Sequence, residues 1–97
     1  MKESDLDKLF VKYLKSKGCV TFKLTPGVAG IPVGVSDRVF FKEGFYGFAE
    51  LKKNKTAPFR PLQREFLDKM DQWSWAKAVY PENFETIKKE LDNVLTF

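Results

Sequence analysis

Two predicted strand segments, residues 35–42 and 45–53, are joined through Lys42, Glu43 and Gly44. In the second segment apolar residues alternate with Glu50 and Lys52. A period of two is typical of β-strands, because successive side chains point to opposite faces of a sheet. A connection this short joins antiparallel neighbours. The sequence therefore predicts a β-hairpin, and this pairing limits how the rest of the chain can be arranged.

The segments around the hairpin predict three helices, two further strands and a loop. Apolar residues recur at helical spacing over residues 4–17, where Ser4 with Asp7 resembles a capping box and Gly18 would end the helix. Residues 19–24 alternate like a strand, and residues 75–80 predict a fourth strand. Residues 25–34, rich in glycine and proline, predict a loop. The remaining helices are predicted over residues 60–73 and from residue 81 onward.

The resulting order, α-β-β-β-α-β-α, predicts one domain over residues 1–97. Its class would be α/β (α+β), with a mixed four-stranded sheet flanked by helices. Trp73 and Trp75 lie at the boundary between a predicted helix and a predicted strand. We expect both in the core rather than stacked on nucleic-acid bases, and Cys19 as a small buried apolar residue.

The composition excludes several classes of enzyme, because the 97 residues include no histidine. Ser-His and Cys-His nucleophile pairs, histidine-ligated zinc and nucleases with a histidine general base are ruled out. The single cysteine excludes an internal disulfide and is compatible with a reducing compartment. No segment has the ~18 apolar residues that a membrane span needs, so we expect a soluble cytoplasmic protein.

The net charge of +4 favours polyanionic partners such as nucleic acid. The basic residues are concentrated in one part of the chain, at Lys52, Lys53, Lys55, Arg60 and Arg64. A run of this kind is also typical of an ordinary solvated surface, so the charge alone leaves both interpretations open.

Glu50 and Lys52 are two residues apart in the second strand of the hairpin, so their side chains share one face of the sheet. The hairpin through Gly44 would bring Asp37 close to Glu50. Two carboxylates and the backbone carbonyl of Leu51 are the oxygen ligands that a hard divalent cation prefers. Lys52 would orient the attacking water or stabilise charge on the phosphate, so the pattern suits phosphodiester cleavage.

Each part of this pattern also has a simpler interpretation. A Glu-Leu-Lys strand is common as an exposed, salt-bridged surface, and Asp37 beside Gly34 is typical of a turn. The spacing alone therefore leaves a metal site and a charged surface strand as open alternatives.

Several motifs follow one another along the chain: Asp37-Arg38 after a glycine-rich loop, the hairpin, Glu50-Leu51-Lys52, and Arg60-Pro61-Leu62-Gln63. An early glutamate in Lys2-Glu3-Ser4 and a strand lysine in Phe22-Lys23-Leu24 precede them. This succession resembles the VRR-NUC branch of the PD-(D/E)XK nucleases, particularly its stand-alone phage and bacterial members. The resemblance runs from Glu3 to about Tyr80 and so covers nearly the whole chain.

The resemblance implies a restriction-endonuclease-like core in which Asp37, Glu50 and the Leu51 carbonyl bind Mg²⁺, with Mn²⁺ as a substitute. It also implies that Lys52 is catalytic. Gln63 and Glu3 would act in the same site. The basic residues expected to contact DNA phosphates, with binding that weakens as salt rises, are Lys23, Arg38, Lys53, Lys55, Arg60 and Arg64.

Two of these residues keep an alternative role, and the chain departs from the family at two points. Gln63 is also typical of a solvated or capping side chain, and Glu3 equally suits a charge at a helix N-terminus. Ser36 stands where the family usually has proline, and the loop over residues 26–35 is a few residues longer. Neither departure removes a metal ligand, although the loop would alter how substrate reaches the metal.

The sequence thus predicts an Mg²⁺-dependent endodeoxyribonuclease that hydrolyses phosphodiester bonds. The stand-alone relatives are similar to Holliday-junction resolvases and act as homodimers, so the resemblance implies branched DNA, a homodimer and a bacterial or phage-infected host cell. The alternatives are a non-catalytic nucleic-acid-binding module that keeps the nuclease fold and an interaction protein with an acidic partner.

Overall fold

Helices and strands follow one another in the predicted order, α-β-β-β-α-β-α. The computed structural model describes residues 1–25, 27, 30–31 and 34–96. The helices are α1 (Glu3–Ser16), α2 (Gln63–Trp73) and α3 (Phe84–Val94), and the strands are β1 (Val20–Lys23), β2 (Arg38–Lys42), β3 (Phe45–Leu51) and β4 (Trp75–Val79). The predicted α+β class with its mixed four-stranded sheet is therefore confirmed.

The sheet has the strand order β1-β2-β3-β4. The first three strands are antiparallel neighbours, and β4 lies parallel to β3, with α2 in the connection between them. Arg38 is opposite Ala49 across the predicted hairpin. The residues one step beyond this pair, Asp37 and Glu50, consequently meet at the end of the sheet.

The main core lies between one face of the sheet and the helices α1 and α3. Phe40 is at its centre, with its ring centroid 5.9 Å from that of Phe10 and 5.5 Å from that of Trp75. The opposite face of the sheet packs on α2, where the Phe48 and Phe66 centroids are 5.0 Å apart. The buried members of the main core are Leu6, Phe10, Leu14, Cys19, Phe40, Ala49, Leu51, Trp75, Val79, Ile87, Leu91 and Leu95.

The starts of all three helices differ from the predictions, whereas the end of the first does not. The predicted stop at Gly18 is confirmed, because its φ of +82° lets the N–H groups of residues 18 and 19 bond back to Lys15 and Leu14. The predicted capping box of Ser4 with Asp7 is wrong, since α1 already begins at Glu3 after Lys2 as N-cap.

The second helix begins at Gln63 rather than at residue 60. Leu62 has a φ of +67°, in the left-handed region, and this conformation interrupts the helix that Arg60 and Pro61 were predicted to open. The last helix likewise begins later than predicted, because a 3₁₀ turn over Pro81–Asn83 precedes α3.

On the α2-facing side of the sheet, three apolar side chains are exposed. The α2 helix packs on β3 and β4, and the apolar side chains of Val20, Phe22 and Phe41 on β1 and β2 are exposed. The expected burial of Trp75 and Cys19 is confirmed. That of Trp73 is wrong, because its side chain at the end of α2 is 64% exposed.

The predicted loop over residues 25–34 includes residues 26, 28, 29, 32 and 33, which lie outside the described part of the chain. Its greater length relative to the nuclease family therefore stays a prediction. Within the described residues, no helix combines the length and apolar character that crossing a membrane requires.

Candidate active site

Asp37 and Glu50 lie side by side where β2 begins and β3 ends. The backbone N–H of Asp37 donates to Oε1 of Glu50 at 3.0 Å, and the backbone N–H of Leu51 donates to Oδ2 of Asp37 at 3.1 Å. Each carboxylate is thus held by the backbone of the segment that carries the other. The hairpin brings the two acidic side chains together, as its register requires.

Glu50 is only 3% exposed, which disfavours its charged form. Burial raises the pKa of Glu50 to about 7, and the negative charge of Asp37 raises it as well. The ammonium of Lys52 and the guanidinium of Arg60 act in the opposite direction and lower this pKa. These two basic neighbours therefore offset the effect of burial on the pKa of Glu50 only in part.

Lys52 shares the face of Glu50, as their spacing predicts, and is itself buried. Its ammonium lies 3.4 Å from Oε2 of Glu50 and donates to the Pro58 carbonyl at 2.8 Å and to Oε1 of Gln63 at 3.2 Å. An ammonium has three donors, and these three acceptors fix its direction. These contacts hold the Lys52 ammonium beside the carboxylate of Glu50.

Gln63 is fully buried at the first turn of α2. Its Oε1 accepts from Lys52 and also, at 3.2 Å, from the backbone N–H of Arg60. Its Nε2 donor has no partner within the described residues. The solvated alternative for Gln63 is therefore wrong, and its side chain supports the buried lysine.

Arg60 lies in this cluster, although the sequence predicted for it only a contact with DNA. Its Nη2 donates to the carbonyl of Val35 at 2.9 Å and lies 3.7 Å from Oε1 of Glu50 and 3.9 Å from Oδ1 of Asp37. Both carboxylates consequently face one small volume, which one guanidinium nitrogen reaches.

A cavity of about 450 Å³ opens beside Asp37, between α1 and the end of the sheet. Glu3, whose side chain is exposed, contributes to its wall together with Asp37. Asp7 was not predicted to lie in this wall, although its position four residues after Glu3 in a helix puts both side chains on one side. The wall consists of Glu3, Ser4, Asp7, Lys23, Leu24, Thr25, Asp37 and Leu51.

The predicted DNA-contacting residues other than Arg60 fall into two groups. Lys23, Lys53, Lys55 and Arg64 are exposed, and the Arg64 guanidinium lies over the Phe59 ring at 4.3 Å. Arg38 is instead buried in an ion pair with Asp7. A contact between DNA and any of these residues stays a prediction.

The acidic donors that could hold a cation come as a pair. In the part of the chain that the structure describes, no three His, Cys, Asp or Glu side chains form a group suited to a metal ion. Two carboxylates facing one volume, with the Leu51 backbone beside them, are nevertheless a donor set of the kind that Mg²⁺ uses, since this ion keeps several waters. A buried lysine next to such a pair is arranged to stabilise negative charge.

Comparison of the chain with protein-family models, with curated proteins and with solved structures finds no match.

Proposed function

We propose that the chain is a metal-dependent DNA endonuclease of the PD-(D/E)XK type, similar to the VRR-NUC branch. One observation carries the proposal: Asp37 and Glu50 face one volume beside a buried lysine that a buried glutamine supports. Burying Glu50 and Lys52 beside the half-buried Asp37 is costly for stability. A chemical function accounts for retaining them.

In this proposal Asp37, Glu50 and the backbone carbonyl of Leu51 hold Mg²⁺ or Mn²⁺. When bound, such a cation polarises the scissile phosphate and lowers the pKa of a coordinated water. The raised pKa of Glu50 supports this assignment, because a nearby divalent charge would favour the ionised form that burial and Asp37 disfavour. Glu3 lines the same cavity as Asp37 and Leu51, and in this proposal it binds a metal-coordinated water.

Lys52 supplies a fixed positive charge where the phosphate becomes more negative. The contact with Glu50, at 3.4 Å, is the longest of its three polar contacts, and those with Pro58 and Gln63 are shorter. Reorienting the one N–H that faces Glu50 would let Lys52 reach a phosphate oxygen or the attacking water. The other two contacts keep the ammonium in place meanwhile.

We further propose branched DNA as substrate and a homodimer as the active form, in the cytoplasm of a bacterium or phage-infected host. The exposed lysines at positions 23, 53 and 55 support binding to phosphates. The exposed apolar surface of Val20, Phe22 and Phe41 supports a dimer, because Phe22 is 48% exposed and its ring lies 5.9 Å from that of Phe41. Sedimentation velocity with Phe22→Lys tests this contact, and an unchanged dimer would contradict it.

The test of the nuclease function is cleavage of junction, flap, single-stranded and duplex DNA with Mg²⁺ or Mn²⁺. We expect Asp37→Asn to abolish cleavage and Asp68→Asn to leave it intact. Asp68 is a matched control, because it loses the same charge from the exposed surface of α2. Cleavage that survives Asp37→Asn would remove the carboxylate pair from the mechanism.

A second candidate, a non-catalytic nucleic-acid-binding module, is favoured by the charge balance of the cluster. Asp37 and Glu50 carry two negative charges when ionised, and Lys52 and Arg60 carry two positive charges within 3.9 Å of them. Such a cluster could serve structure alone. Metal-independent DNA binding without cleavage, and without Mn²⁺ binding in calorimetry, would identify the module.

A further inference from the structure

Arg60 differs from Lys52 in how firmly its charge is held. The Lys52 side chain is 9% exposed and has three close acceptors, whereas the Arg60 side chain is 41% exposed. The backbone N–H of Arg60 is fixed to Gln63, while its guanidinium makes one close hydrogen bond, to the Val35 carbonyl. The guanidinium can therefore leave while the backbone stays in place.

The carboxylates themselves hold Arg60 only loosely. The distances from Nη2 to Glu50 and Asp37, 3.7 and 3.9 Å, are longer than hydrogen bonds. The interaction is thus mainly one of charge, and a small cation that binds the carboxylate oxygens directly would interact more strongly. It would also repel the guanidinium, since both would occupy the volume between the same two oxygens.

We infer that Arg60 is a displaceable counter-ion, which neutralises Asp37 and Glu50 in the metal-free protein and has to move away when a divalent cation binds. This inference rests on the proposed function, because it presupposes that the carboxylate pair is a metal site. Once displaced, the guanidinium lies at the exposed rim of the site, where its planar donors suit a DNA phosphate. Arg60 thereby lowers the affinity for metal and contributes to the binding of substrate.

The test is calorimetric titration with Mn²⁺, without DNA, of the wild type, Arg60→Gln and Arg64→Gln. We expect Arg60→Gln to bind Mn²⁺ about tenfold more tightly than the wild type, because the competing charge is gone. Arg64→Gln is the matched control: it loses the same charge from the same region, but its guanidinium stacks on Phe59. We expect its affinity to stay within about twofold of the wild type, because the exposed Arg64 charge is screened by solvent and salt.

The outcomes separate this inference from the proposed function. If the wild type binds Mn²⁺ and Arg60→Gln binds it equally or less tightly, the displacement is overturned and the metal site stands. The same change in both arginine variants would also overturn it. If no variant binds Mn²⁺, the metal site and the displacement are both contradicted.

A measurement without metal tests the counter-ion contact itself. In EDTA, Arg60→Gln is expected to lower Tm in the wild-type background and to lower it less in Asp37→Asn, because the partner charge has gone. Equal Tm changes in the two backgrounds would show that Arg60 and Asp37 do not interact, and the inference would fail at its first step.

Discussion

Arg38 donates from Nε and Nη2 to the two carboxylate oxygens of Asp7, both at 2.9 Å, so that β2 is joined to α1 by a bidentate ion pair. Both side chains are largely removed from solvent, at 8% and 14% exposure. The pair lies one residue from Asp37, and Asp7 forms part of the cavity wall. It therefore fixes the position of the helix that carries Glu3 relative to the carboxylates.

Asp7→Ala should destabilise the protein by about 3–5 kcal/mol, because it leaves the Arg38 guanidinium buried without its carboxylate. Urea denaturation monitored by circular dichroism measures the change in unfolding free energy. Glu85→Ala is the control, since Glu85 pairs with Lys88 on the surface of α3. It should cost less than about 1 kcal/mol. Equal losses in the two variants would show that burial does not strengthen the Asp7 pair.

Lys52→Met should lower the cleavage rate about 10²–10³-fold, the usual cost of removing one preorganised charge from an active site. Single-turnover cleavage, normalised to the folded fraction, measures it. Lys53→Met is the neighbouring control, because Lys53 is exposed. Lys53→Met should instead weaken DNA binding, and it should reduce the salt dependence of that binding by the amount expected for about one phosphate contact. If the two variants lose cleavage rate to a similar extent, Lys52 acts only through the overall charge of the protein.

The buried Glu50 should make the metal-free protein less stable as pH rises. Its folded-state pKa of about 7 lies above the ordinary value of 4.5, so the folded chain holds this proton more tightly than the unfolded chain. The resulting stabilisation is complete below about pH 4.5 and is lost as pH rises through about 7, on the order of 3 kcal/mol in all.

Denaturation of the wild type and of Glu50→Gln in EDTA, at several pH values from about 4.5 to about 8, isolates this effect. The difference in unfolding free energy between the two proteins should change in favour of the variant as pH rises. A difference that stays constant across this range would show that Glu50 titrates as an ordinary glutamate.

Binding of Mn²⁺ should release a proton, because the metal binds the ionised carboxylate. With a pKa of about 7, Glu50 is mostly protonated at about pH 6, so close to one proton should be released there and almost none at about pH 8.5. Calorimetry in two buffers of different ionisation enthalpy counts the protons. If the heat of binding at about pH 6 does not depend on the buffer, no proton is released. Mn²⁺ then binds elsewhere, or Glu50 is already ionised before the metal binds.

Sequence patterns predict the part of the site that adjacent strands create. The proximity of Asp37 to Glu50 follows from the hairpin register, and the shared face of Glu50 and Lys52 follows from the pleat of one strand. The apolar residues that recur at helical spacing over residues 4–17 likewise predict the buried side of α1, where Leu6, Phe10 and Leu14 are buried.

Contacts between distant segments could not be predicted in this way. The Arg60 guanidinium bonds to a carbonyl 25 residues earlier in the chain, and no local period encodes such a distance. The burial of Gln63 depends on how α2 packs. Only the resemblance to a nuclease family indicated that this residue belongs to the site. The exposure of Phe22 and Trp73 likewise depends on which strands α2 covers.

Gly47 allows Phe40 to occupy the centre of the core, and Gly47→Ala should destabilise the protein by about 1–3 kcal/mol through overpacking. The two residues are direct partners across β2 and β3. A Cβ atom on Gly47 would overlap Cζ of the Phe40 ring and lie 2.8 Å from Cε2 and 2.9 Å from Cε1. The ring cannot move away easily, because Phe10 and Trp75 pack against it.

Thermal and urea unfolding of Gly47→Ala measure this loss, with Gly44→Asn as the control. Gly44 has a φ of +79° and open space where a Cβ would stand, and asparagine tolerates this conformation better than other non-glycine residues. The control should therefore lose less than about 1 kcal/mol. Because Asp37 and Glu50 depend on the same β2–β3 register, Gly47→Ala should also weaken Mn²⁺ binding if it shifts the strands. A variant that keeps full stability would show that the Phe40 ring has room to move.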